Sequence, residues 1–291
     1  MLEELDQARK KALKKTLLCF LVPFAIGIVL LMVSPQFMGI GLFAGFILAA
    51  FIPKKDRDAF NALYKNKIVV EAMNRICTDI NFDTQKGISR SVIASTEMMN
   101  MGDIFSSNDY VTGKYKNINF EMSDVHIQQE STDSEGHTTY YTLFKGQWYI
   151  FDFNKEFKAN IQVRGKHFYN AKRGRLFAKK EEKFKKVELE DMEFNNLFKV
   201  YAQNELDAFY VLTPGTMSRI KEIGNKIKGT LLFCFIGNYL HVAVHNNKDF
   251  FEASIFKKID LEKAIAKTNE EISAIADFVD ILSLDNDLFK K

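Results

Sequence analysis

Two stretches decide the fold: TLLCFLVPFAIGIVLLMV at Thr16–Val33 and FMGIGLFAGFILAAFI at Phe37–Ile52. Neither holds a charged residue, and only Ser34, Pro35 and Gln36 separate them. A helix of roughly 18 residues spans about 27 Å, close to the ~30 Å hydrocarbon core of a bilayer. The second run is slightly short, which local thinning or the inclusion of Pro35 and Gln36 accommodates. The pair reads as a transmembrane helical hairpin with a tight turn at Ser34–Gln36.

Charge placement gives the expected orientation. Lys10, Lys11, Lys14 and Lys15 precede the first run, with Arg9 beside them, and Lys54, Lys55 and Arg57 follow the second. The turn carries no charge, so the positive-inside rule places both termini in the cytoplasm. A secretory signal peptide would also begin with basic residues. The second apolar run and the lack of a small-x-small cleavage site speak against one. A buried helical pair in a soluble domain is the remaining alternative. Gly41, Gly45 and Ala49 form a small-residue stripe, suited to close packing on the first run near Gly27 or to association between chains.

The rest of the 291-residue chain is large enough for one good domain or two small ones. A net charge of +3 implies no nucleic-acid partner. Cys19, Cys77 and Cys234 are scattered and form no CxxC pair, which suits a reducing compartment and excludes a thiolate metal cluster.

Leu2–Lys15 reads as a basic cytoplasmic helix. Residues 16–53 are the hairpin, and 54–108 a helical stalk and linker. Phe60, Leu63, Ile68, Val69, Ala72 and Ile76 recur there at helical spacing. Residues 109–291 then read as a cytoplasmic α+β domain of antiparallel sheet with flanking helices, with division into β-rich halves 109–170 and 187–291 left open. Tyr110–Gln129 alternates as strand. His137–Leu143 and Gln147–Phe153 read as a hairpin about Lys145-Gly146, followed by a strand at Phe157–Val163. Leu231–Ile236 and Tyr239–His245 read as a second hairpin about Gly237-Asn238. Phe209–Leu212 and Phe250–Phe256 read as strands. Thr213-Pro214 signals a helix start, and Asp260 caps a last helix with an apolar stripe from Leu261 to Leu282.

Chemistry is sparse. His241 and His245 lie about 13 Å apart on a strand, too far for one ion, and read as a solvated face. No nucleophile elbow, P-loop or dinucleotide fingerprint occurs. The acidic run Glu188–Glu193 reads as a solvated edge. No catalytic, cofactor-binding or metal-ligating residue is expected. In the basic stretch Lys172–Lys186, Arg173, Arg175, Lys179 and Lys180 join the basic flanks of the hairpin as candidate contacts for anionic lipid.

The ordered features Asp109-Tyr110-Val111-Thr112-Gly113, Phe120-Glu121-Met122-Ser123-Asp124-Val125, Leu143-Phe144-Lys145-Gly146-Gln147, Tyr210-Val211-Leu212-Thr213-Pro214 and Asp249-Phe250-Phe251-Glu252 follow a two-span anchor. This arrangement resembles the bacterial domain-of-unknown-function family 3137. The resemblance implies a bacterial inner membrane and carries no established activity. The expected role is a non-enzymatic binding or scaffolding module with the bilayer and a protein as partners. Homo-oligomers, an enzyme acting on a membrane-associated substrate, and a lipid-sensing domain are the alternatives.

Overall fold

The computed structural model describes residues 2–168 and 183–282; the side chains of 153–159 are left aside. The chain is α+β and divides into two compact units, Met1–Ala72 with Phe251–Asn269, and Met73–Phe250 with Glu270–Lys291.

In the first unit, α1 (Leu2–Leu30) is one continuous helix that carries both the basic N-terminal turns and the first apolar run. A turn at 31–35 leads to α2 (Gln36–Phe51), and α3 (Lys54–Tyr64) follows. A wider π-helical turn at Lys65–Val69 joins α3 to α4 (Val70–Asn74). Phe60, Tyr64, Ile68 and Ala72 are all buried at four-residue steps. Steps of four overshoot a 3.6-residue turn, and the one wider turn returns the stripe to its buried side. Lys65 and Asn61 both reach Glu252, at 2.7 and 3.1 Å. Arg9 donates to Asp6 and to the Ile255 carbonyl.

The second unit is built on one seven-stranded antiparallel sheet: β1 (Thr78–Asp83), β2 (Ile104–Tyr115), β3 (Ile118–Thr132), β4 (Thr138–Gly165), β5 (Lys185–Val187), β6 (Phe198–Ala202) and β7 (Thr230–His245). The order is β1-β2-β3-β4-β6-β5, with β7 on β4. The long β4 organises it. Phe151 pairs with Phe120 of β3 on one edge and Leu240 of β7 on the other; Ile161 pairs with Ala202 of β6 and Phe235 of β7. Therefore β3 and β6 share one edge of β4, and β7 runs along the opposite edge.

This arrangement corrects several local expectations. Lys145-Gly146 and Gly237-Asn238 are not hairpin turns but lie inside the single strands β4 and β7. Gly146, at φ +151°, lets β4 pass β7 where a Cβ would stand 2.0 Å from the Val244 carbonyl oxygen. The β-rich halves are one sheet. Strands β1 and β2 also begin before residue 109, within the expected linker. Phe209–Leu212 falls largely in a helix, α7 (Glu205–Val211), whose N-terminus is capped by Asn204. Phe250–Phe256 forms no strand.

Both sheet faces are covered in the second unit. On one, Val125, Ile127, Phe144, Trp148, Ile150, Leu232 and Ala243 pack with Ile88, Met98, Met99 and Ile93 of α5 (Arg90–Ser95). On the other, Phe278 of α9 (Leu261–Leu282) meets Tyr149 and Phe151 at ring-centroid distances of 5.1 and 5.9 Å. Two local starts are as the sequence predicts. Thr213 caps α8 (Pro214–Lys226) with proline at its first position, and Asp260 accepts from Lys263 N ahead of α9. The short α6 (Met192–Leu197) is capped by Asp191.

Candidate functional site

The first candidate surface lies on α1 and α2. Gly27, Gly41 and Gly45 sit at their crossing. A Cβ on Gly41 would stand 2.6 Å from the Pro23 carbonyl oxygen, and one on Gly45 2.8 Å from that of Phe20. Small residues at these points let the backbones touch. Ala49 is half-buried, and its carbonyl accepts from Arg57 Nη1 at 2.8 Å. The outward faces and the turn between them form a belt of exposed large apolar side chains, among them Val29, Ile40, Phe43, Phe46 and Phe51 on the helices and Met32 and Val33 in the turn, with Met32 95 % exposed. Helix α1 is long and apolar enough to cross a membrane. The second run reaches that length only when joined to 54–74 through a 42° bend.

The basic residues around this belt are not equivalent. Lys11 and Lys15 both pair with Asp56, at 3.3 and 2.7 Å. The Lys15 hydrogen bond, with that of Lys11, holds the Asp56 carboxyl below the usual carboxylate range. Lys10 pairs with Asp6 at 2.8 Å. Lys14, Lys54 and Lys55 are exposed. Arg173, Arg175, Lys179 and Lys180 lie outside the described residues. Nothing local in the sequence shows that Asp56 meets α1 about 40 residues earlier.

The second candidate is an open cleft of about 380 Å³ on the sheet, beyond the α5-covered core. Thr112, Lys114, Glu121, Ile150, Asp152 and Tyr239 contribute to its walls. Tyr110 donates to Glu121 at 2.7 Å, and Lys114 pairs with Asp79 at 3.1 Å. Asn119 donates to Asp152 at 3.4 Å. Burial and then the Glu121 bond push the Tyr110 phenol up to about 12. The arrangement presents an acidic, hydrogen-bonding surface. Among the described residues, no group of three or more His, Cys, Asp or Glu is placed to hold a metal.

Away from the cleft, separate sequence fragments meet at Asp124. Gln147 Nε2 donates to its Oδ1 at 3.0 Å, and Phe250 N to its Oδ2 at 2.7 Å. Asp109 is buried nearby and accepts from Asn108 at 2.7 Å. Burial raises the Asp124 carboxyl well above its ordinary range against the pull of both bonds, with Asp109 and Asp249 adding to the rise. This network ties the segment after β7 to the sheet.

The expectation of a solvated His241 is corrected. It is buried, and its Nδ1 accepts from Trp148 Nε1 at 3.2 Å. Burial lowers its pKa to about 4. Its face of β7 is covered by 88–99, which alternation within one strand could not reveal. His245 accepts from Lys145 N at 3.1 Å. Burial raises the thiols of Cys77 and Cys234, the opposite of an activated nucleophile. In the acidic run, Asp191 and Glu193 both bind Lys221, at 2.9 and 2.6 Å.

Residues 142–284 match the family described as protein of unknown function (DUF3137). Over that segment the chain is similar to the DUF3137 family. The matched DUF3137 segment runs from within β4 to the end of α9. No curated protein matches the chain. A crystal structure of the mycobacterial trehalose monomycolate transport factor A, TtfA, is similar at 11% identity and a TM-score of 0.39, covering 76% of this chain and 95% of that one.

Proposed function

We propose that α1 and α2 form a membrane-spanning hairpin and hold the DUF3137-like domain at the cytoplasmic face of a bacterial inner membrane, as a binding or scaffolding module. The observation that carries this reading is the belt of exposed Val, Ile, Met and Phe on both helices. Soluble monomers rarely leave so continuous an apolar surface in water, whereas lipid is its natural solvent. The basic residues before α1's apolar run and after α2, with none in the turn, support cytoplasmic termini. The glycines facing α1 support packing within one chain over association through that stripe. The exposed lysines beside the belt, with Arg173, Arg175, Lys179 and Lys180, are proposed contacts for anionic headgroups.

The open acidic cleft supports the binding role, since it offers donors and acceptors to a polar partner surface. Crosslinking in native membranes followed by purification of the full chain tests this. A reproducible protein partner is expected, with recovery reduced several-fold in a Glu121→Lys, Asp152→Lys double variant. Recovery of a bare monomer overturns the scaffolding role. A reporter active only outside the cytoplasm, fused after Lys291, should stay silent; a signal overturns the orientation.

A further inference from the structure

The cytoplasmic end of α1 offers its lysines to two different surroundings. Lys11 and Lys15 are one turn apart, and both pair with the one Asp56 carboxylate. Lys10 and Lys14 are also one turn apart, but they share a strip with Leu13, Leu17, Leu18 and Leu21, at spacings that keep all six on one side of the helix. These six residues line a groove of about 460 Å³. Leu17, Leu18 and Leu21 are each about half exposed. Lys10 has its pair with Asp6 on the helix surface, and Lys14 has no ion pair among the described residues.

We infer that this strip seats one anionic phospholipid, with its phosphate between Lys10 and Lys14 and an acyl chain along Leu17, Leu18 and Leu21. The inference deepens the membrane-anchor reading and rests on it. The layout matches the ligand end for end: two ammoniums above, that of Lys10 shared with Asp6, leucine side chains below, and Lys11 and Lys15 sharing Asp56. A soluble acidic peptide would leave Leu18 and Leu21 in water. A lipid without net charge would leave Lys14 uncompensated. Long lysine side chains at a helix end reach naturally toward the headgroup layer.

The test uses the full-length chain in neutral detergent, stripped of lipid and titrated with phosphatidylglycerol or phosphatidylcholine carrying identical chains. Native mass spectrometry counts the retained lipid. One phosphatidylglycerol per chain should be retained at least tenfold more tightly than phosphatidylcholine. Each lysine removed from the strip should weaken retention about fivefold, so Lys10→Gln with Lys14→Gln should abolish the preference. Lys11→Gln with Lys15→Gln should retain it. Inorganic phosphate should not compete, since it brings the anion without the chain. Equal retention of both lipids, equal loss in both double variants, or displacement by phosphate overturns the inference. A wild-type chain that stays monodisperse without detergent overturns the anchor itself; one that needs detergent but shows no lipid preference overturns the lipid seat alone.

Discussion

His241 and Asp124 show how burial gives single residues opposite pH behaviour. With its folded pKa lowered to about 4 by desolvation, His241 stays neutral while the unfolded chain takes up a proton below about pH 6.5. Its contribution is therefore present above pH 6.5 and lost as pH falls toward 4. Between pH 7.5 and pH 5 the loss should be about 2 kcal/mol. Denaturant unfolding of the detergent-solubilised chain should show that slope relative to His241→Gln, which cannot titrate. The Asp124 carboxyl, raised by burial, acts in the other direction: stability falls as pH rises from the ordinary carboxyl value through the raised one. Comparison with the His241 variant separates the two. Asp124→Ala removes one acceptor from Gln147 Nε2, which keeps the Lys248 carbonyl at 2.8 Å, and one from Phe250 N, and should cost about 2 kcal/mol in the same unfolding experiment.

Elements are set by what they pack against. The α1–α2 crossing depends on backbone contact at Gly41, where a Cβ meets the Pro23 carbonyl oxygen, while a Cβ on Gly39 meets nothing within 4 Å. Gly41→Val should lower the thermal midpoint of the full chain in detergent by several degrees, and Gly39→Val should leave it within about one degree; equal shifts would remove the crossing as described. Helix α9 docks through Phe278, fully buried against Tyr149 and Phe151. Phe278→Ala should cost about 3–5 kcal/mol, read from the denaturant midpoint at unchanged slope. The starts of α8 and α9 were legible in the sequence because Thr213-Pro214 and Asp260 act on donors within three residues. The glycine at 146 was legible as a special backbone position but not as part of a continuous strand. Its meaning depends on Val244, about a hundred residues later.

At the scale of the molecule, the proposed anchor predicts that the chain stays in the pellet when membranes are washed with alkaline carbonate and leaves it only with detergent; release by carbonate would sink the membrane reading. The apolar pattern of Thr16–Ile52, the alternation of Tyr110–Gln129, and the caps of α8 and α9 could be read from the sequence alone, whereas β1 at Thr78–Asp83 could not. Each arises from local chemistry: hydropathy, side-chain periodicity, and a hydrogen bond to a nearby N–H. Tertiary structure alone decided that β4 joins what looked like separate hairpins into one sheet. It likewise buried His241 beneath 88–99, brought Asp124, Gln147 and Phe250 together, and set Lys11 and Lys15 against Asp56. These outcomes follow from pairing and burial between residues far apart in the chain, where the local pattern is the same whether a strand face meets water or another layer of side chains.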